Sequence, residues 1–223
     1  MGETFAPVSG STAASGPVAS GSAAAGGPAS PLGVVLAGGA ATRMGGAKMT
    51  AVLSGRPLIA WPVAALGAIL DEIIVVAKRD TPLPPLAVPL SIEPYEPRHP
   101  FAGVVHALSE AAGRPVIVCA GDLPLVTPAD VRALVEAPGG RAAVARSGDR
   151  LQPLLARYEA AALAALAAAL PAAPAAAAAR ALDPIEIDVP AISLLNVNTQ
   201  ADLAAAEQAL AGRWRRALPC HRS

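Results

Sequence analysis

The chain has 223 residues, 53% of them apolar and 15% charged, which suits one domain with a sizeable core. Lys plus Arg and Asp plus Glu both number 17, so no whole-molecule field draws the chain onto nucleic acid or an anionic membrane. A polyanionic ligand must then be held by a local site. The two cysteines, Cys119 and Cys220, make no disulfide framework and fit a reducing, cytoplasmic compartment.

Residues 1–30 hold no Lys or Arg and no apolar run of signal-peptide type. Their Gly/Ser/Ala/Pro composition predicts a disordered low-complexity segment, ahead of a domain over 31–212. Gly33-Val34-Val35-Leu36-Ala37 is an apolar run ending in glycines and reads as the first strand. A helical pattern follows from about Pro57 to Leu70, with Pro62 placed to kink its early part. Ile73 to Ala77 reads as the next strand, Phe101 to Ala112 as a helix, and Pro115 to Ala120 as a further strand. Thr127-Pro128-Ala129-Asp130 predicts a helix start: a hydroxyl cap, proline at the first helical position, and an acid three residues after the cap. Ala160 to Ala179 carries no charge and is long enough to span a membrane. Only Leu163, Leu166 and Leu170 supply insertion energy, roughly −0.3 to −0.6 kcal/mol each. Pro171 and Pro174 also break the run, so alanine-rich helices explain it better. Thr199-Gln200-Ala201-Asp202 repeats the cap and opens the last helix, to about Leu210, leaving 213–223 as a flexible tail.

The strand runs are apolar throughout rather than alternating. That pattern predicts an α/β fold in which a mostly parallel sheet is covered by helices on both faces. In such sheets ligands bind beyond the carboxyl ends of the strands. Three polar clusters follow the strands or precede the last helix: Gly38 to Lys48, Gly121-Asp122, and Asn196-Val197-Asn198-Thr199. They predict one site.

The first cluster is a glycine-rich turn carrying Arg43 and Lys48. Glycines let backbone N–H groups approach a phosphate closely, Arg43 offers a planar fork, and Lys48 a compact charge. Lys48 and Lys78 are the only lysines, and arginine fills the other fifteen cationic positions. The spacing fits neither a P-loop nor a dinucleotide fingerprint. Asp122 in a turn can also satisfy local N–H groups, and asparagines before a helix usually serve turn chemistry. His99, His106 and His221 are dispersed and form no metal-site spacing. Cys119, inside an apolar strand, reads as a small core residue.

Leu36-Ala37-Gly38-Gly39, with Arg43-Met44-Gly45 and Lys48, resembles the signature loop of nucleotidyltransferases of the MobA-like type. Gly55-Arg56-Pro57-Leu58, Gly121-Asp122-Leu123-Pro124, Gln152-Pro153-Leu154-Leu155-Ala156 and Asn196-Val197-Asn198-Thr199 resemble its later landmarks. The resemblance covers about Leu32 to Leu210 and leans toward molybdenum cofactor guanylyltransferases. It implies a three-layer, Rossmann-like nucleotidyltransferase fold with a mostly parallel central sheet. The implied reaction is attack by the terminal phosphate of molybdopterin on the α-phosphorus of GTP, with pyrophosphate released. Mg²⁺ would be the cofactor and Asp122 its principal protein ligand. Arg43, Lys48 and Asp122 would be catalytic, with Leu36, Ala37, Gly38, Gly39 and Glu93 also on the nucleotide. Asn196 and Asn198 would lie near the acceptor or the metal. A phosphate monoester, with a second pKa near ~6, needs no general base at neutral pH. A molybdoenzyme or its chaperone would receive the product.

The chain also departs from the family pattern. Ala47 stands where an aspartate is common, and Val76-Ala77-Lys78-Arg79 lacks an asparagine usually offered to the base. The stretch from Ser91 to Glu96 is short, and His99 replaces a glycine. Glu93 or Glu96 could accept from the N1 and N2 edge of guanine, or be a solvated loop charge. Transfer from CTP, a sugar- or alcohol-phosphate acceptor, and a nucleotide-binding module without turnover remain the alternatives.

Overall fold

The computed structural model describes residues 30–38, 48–170 and 172–217. The expected low-complexity segment lies almost wholly outside them, as do Gly39, Arg43 and the rest of the glycine-rich turn.

The main sheet has seven strands. They are β1 (Leu32–Leu36), β4 (Ile73–Ala77), β5 (Leu90–Ile92), β6 (Val116–Ala120), β7 (Ala142–Ser147), β8 (Arg150–Tyr158) and β9 (Ile185–Asp188). A separate two-stranded hairpin is formed by β2 (Val52–Leu53) and β3 (Arg56–Pro57). The sheet order is β5-β4-β1-β6-β8-β7-β9. Every neighbouring pair is parallel except β6–β8 and β8–β7, so β8 alone runs against the others. The sheet is therefore mixed but mostly parallel, as the unbroken apolar runs require.

Side-chain alternation along β1 and β6 splits the interior in two. Leu32, Val34, Leu36, Val116 and Val118 face one core, with α2 (Ala102–Glu110), α4 (Leu163–Ala169) and α5 (Ala175–Arg180) over them. Val35, Ala37, Ile117 and Cys119 face the other, under α1 (Ala60–Gly67) and α3 (Pro128–Glu136). The result is three layers. A third cluster joins Leu53 and Leu58 of the hairpin region to Leu125, Val197, and Ala206 and Leu210 of α6 (Gln200–Ala217). After β1 the chain moves to β4 on one side, while β6 lies on the other side of β1, so a crevice opens at the carboxyl ends of β1 and β6.

Three local readings change. The first helix is shorter than its pattern, because Arg56–Pro57 pairs with Val52–Leu53 as a hairpin; Pro62 then falls in the first turn, where its missing N–H costs nothing. The last helix runs past Leu210 to Ala217, so the first five residues of the expected tail are helical. The Arg213 guanidinium donates to the Leu125 carbonyl at 2.8 Å and ties that last stretch to the core. The Ala160–Ala179 region forms a short 3-10 turn, α4 and α5, broken between Leu170 and Pro174. No helix among the described residues is long and apolar enough to cross a membrane.

The predicted caps form. Thr127 accepts from Asp130 N at 3.3 Å, and its own N–H donates to Asp130 Oδ2 at 2.8 Å. At the other end of α3, the buried Arg157 guanidinium donates to the carbonyls of Leu134, Val135, Ala137 and Pro138. Glu159 neutralises it from 2.9 Å.

Candidate active site

The polar clusters meet where the fold opens. Asp122 follows the buried end of β6, and its carbonyl accepts from Val197 N at 2.9 Å, which pins the 196–198 segment beside it. Lys48 lies in a short 3-10 turn, is 8% exposed, and reaches Asp122 Oδ2 and Asn198 Oδ1, both at 2.6 Å. Asn196 Nδ2 donates to Asp122 Oδ1 at 3.0 Å. Residues from three distant stretches of the chain thus converge on one carboxylate. Gly121 is required by this closeness: a Cβ there would sit 2.8 Å from Met49 Sδ and 3.1 Å from the Leu36 carbonyl.

A cavity of about 540 Å³ runs from this cluster along the ends of β1 and β4. Leu36, Ala37 and Gly38 line it. Glu93 also lines it and is 8% exposed. Glu93 Oε1 pairs with Lys78 at 3.4 Å, whereas Oε2 is buried with no hydrogen-bond partner. A buried carboxylate oxygen without a donor is costly unless a ligand satisfies it. Gly103 opens the space beside that oxygen, because a Cβ there would lie 3.3 Å from Oε2 and 2.8 Å from Leu36 Cδ2. Glu96 is different: its side chain is 68% exposed and pairs with Arg98. At the rim the Tyr95 ring has the Arg98 guanidinium 4.4 Å from its centroid. His99 lines the cavity but spends its ring on structure, accepting from Phe101 N at 3.1 Å and meeting the Ala173 carbonyl at 2.8 Å.

The structure therefore brings together Leu36, Ala37, Gly38, Lys48, Glu93, Asp122, Asn196 and Asn198. Arg43 and Gly39 lie outside the described residues. Sequence reasoning missed Arg150, whose Nη2 donates to Asn196 Oδ1 at 3.1 Å, and any bonding role for Gln152, whose Nε2 donates to the same atom at 3.2 Å. It also missed Lys78 as the partner of Glu93 and Gly103 as the residue whose missing Cβ leaves room beside its second oxygen. The signal for Arg150 and Gln152 was their two-residue spacing in a strand, legible only once β8 is known to run in reverse. Cys119 is buried in the core, and burial pushes its thiol far above the usual range, so it takes no part.

The donors suit magnesium. Asp122 supplies one carboxylate and Asn198 an amide oxygen nearby, and such an ion typically keeps one or two protein carboxylates plus substrate phosphates. Among the described residues no three His, Cys, Asp or Glu side chains form a metal-holding group. An ion shared with a triphosphate needs none.

Residues 33–186 match the domain family described as MobA-like NTP transferase domain. The chain belongs to this family. A probable molybdenum cofactor guanylyltransferase of Bacillus licheniformis is 36% identical over 132 residues, 56% of this chain. The match spans 66% of that relative's length, just under two thirds. A probable molybdenum cofactor guanylyltransferase of Thermococcus gammatolerans is 32% identical over 77% of this chain and 96% of its own. The crystal structure of molybdopterin-guanine dinucleotide biosynthesis protein A from Archaeoglobus fulgidus superposes with a TM-score of 0.66. It is 24% identical, over 81% of this chain and 99% of that one, a likeness of fold. Membership of the MobA-like family agrees with the seven-stranded sheet and with the glycine-rich sequence after β1.

Proposed function

We propose that this MobA-like chain transfers GMP from GTP to the terminal phosphate of molybdopterin, releasing pyrophosphate and forming a guanine dinucleotide cofactor. One observation carries the reading: a single cavity is lined by both the Lys48–Asp122 cluster and Glu93, one of whose oxygens is buried and unpartnered. The cluster suits a triphosphate and its metal. The lone carboxylate suits a base edge with two adjacent donors.

Guanine presents N1–H and N2–H side by side, and a carboxylate accepts from both. Cytosine and adenine place a ring acceptor next to their amino group, which a carboxylate repels. Lys78 lies 3.4 Å from one oxygen of Glu93, which leaves the other for the base edge. The curated relatives are named for guanylyl transfer, and this supports the same base here.

In the reaction, an oxygen of the molybdopterin phosphate forms a bond to the α-phosphorus, and the bond from that phosphorus to the bridging α–β oxygen breaks. The electron pair leaves with pyrophosphate. Attacker and triphosphate are both anionic, so the chain must bring like charges together in line. Lys48 meets the leaving phosphates with its ammonium, exchanging Asn198 and Asp122 for phosphate oxygens, and Arg43 and the glycine-rich turn would hold the rest. A magnesium ion, held through Asp122, supplies charge neutralisation and Lewis acidity when bound. No residue needs to take a proton from a dianionic phosphate.

The test is pyrophosphate release from GTP with Mg²⁺, measured with molybdopterin and with sugar and alcohol phosphates. Release only with molybdopterin supports the reading; release with a sugar phosphate alone would move the chain to a different acceptor. GTP binding with no turnover on any acceptor would make it a binding module.

A further inference from the structure

β8 is the one reversed strand, so its first residues, Arg150 to Gln152, arrive at the edge where β1 and β6 end. Residues two apart in a strand share a face. Arg150 and Gln152 both turn to Asn196, with their nitrogens 3.1 Å and 3.2 Å from its Oδ1. A guanidinium only donates, so the atom it meets must be oxygen, and the other end of the amide must be the NH₂ group. That NH₂ group faces Asp122 Oδ1 at 3.0 Å. With Asn196 turned the other way, an amide oxygen would oppose a carboxylate oxygen, acceptor against acceptor. Gln152 is 8% exposed, which makes its half of this clamp hard for water to replace.

We propose that Arg150 and Gln152 are positioning residues that lock the Asn196 amide. Through it they occupy Asp122 Oδ1 and present Oδ2, the oxygen facing Lys48, to the metal. The assignment rests on the reading of Asp122 as metal ligand. Gln152 and Arg150 touch neither nucleotide nor metal in this scheme; they act through Asn196.

The test is Mn²⁺ binding to the full chain in the presence of GTP, followed by electron paramagnetic resonance, which needs no acceptor and no turnover. Gln152→Leu should weaken Mn²⁺ roughly 10-fold, the low end for loss of an outer-shell partner. Arg150→Ala, at an exposed position where folding is not at stake, should give a smaller loss in the same direction. Gln152→Glu keeps the size but sets an acceptor against Asn196 Oδ1, and should do at least as badly as leucine. In an Asn196→Ala background, Gln152→Leu should add nothing, whereas a merely structural glutamine would weaken binding again. Wild-type Mn²⁺ affinity in both Gln152→Leu and Arg150→Ala, or losses that add fully to Asn196→Ala, would overturn the proposal. Absence of Mn²⁺ binding in the unaltered chain with GTP would overturn the metal assignment of Asp122 beneath it, a separate and recognisable failure.

Discussion

In the proposed reaction, Glu93 governs base choice and Asp122 the chemistry. Glu93→Gln keeps the shape of the side chain but replaces one acceptor oxygen with a donor. Because a hydrogen bond to a charged group contributes about 1.5–3 kcal/mol, the GTP-over-CTP ratio of kcat/KM should fall by roughly 10- to 100-fold. An unchanged ratio would move base recognition to another residue. Asp122→Ala should lower turnover by more than about 100-fold, beyond the cost of outer-shell partners, while metal-free nucleotide binding suffers less. Turnover that survives this change would remove Asp122 from the metal. Lys48 and Asp122 were legible as chemistry in the sequence because each follows a strand in a polar break. Glu93 was only half legible: nothing in Ser91 to Glu96 distinguishes it from Glu96, and burial alone separates them.

At the scale of elements, caps and registers place these residues. Thr127→Ala breaks the reciprocal box at α3 and should cost ~1 kcal/mol of stability, read as a lower Tm with activity retained. The cap of α6 has a pH signature. Asp202 Oδ2 accepts from the N–H groups of Asn198 and Thr199, and Asp202 N donates to the Thr199 hydroxyl. The Asn198 N–H, then the Thr199 hydroxyl, hold this carboxyl below the usual range. A depressed folded value means that the stabilisation is present above the unfolded value of ~3.9 and is lost as pH falls through the lowered one. The Tm difference between the native chain and Asp202→Ala should therefore be full at pH 7 and shrink toward pH 3. A difference independent of pH would contradict the assignment. Both caps were readable because a cap is local: hydroxyl, spacing and acid lie within four residues. The hairpin β2–β3 and the strands β5, β7, β8 and β9 were not, for a physical reason. β5 and β9 are short and half-exposed, and β8 carries Pro153 where its register against β7 shifts. None of these three gives a long apolar run, and strand direction is a property of the whole sheet.

Across the whole molecule, a near-neutral charge balance offers no broad anion-binding surface. The cavity carries its cations Lys48, Lys78 and Arg98 among Asp80, Glu93 and Asp122, so an anionic ligand there would be met locally, with a metal ion to offset the acids. The topology explains why that cavity lies where it does. The connections diverge beside β1, and the single reversed strand returns Gln152 to the same edge. The three-layer class was legible from unbroken apolar strands, while the reversal of β8, which builds the support of Asp122, was not. One competition tests base, acceptor and reaction together. Purified chain, Mg²⁺ and molybdenum-loaded molybdopterin are mixed with equimolar GTP, CTP, ATP and UTP, and the products are weighed by mass spectrometry. The account predicts a molybdopterin guanine dinucleotide as the main product. A cytosine dinucleotide in its place, or no nucleotidylated pterin from folded protein, would contradict it.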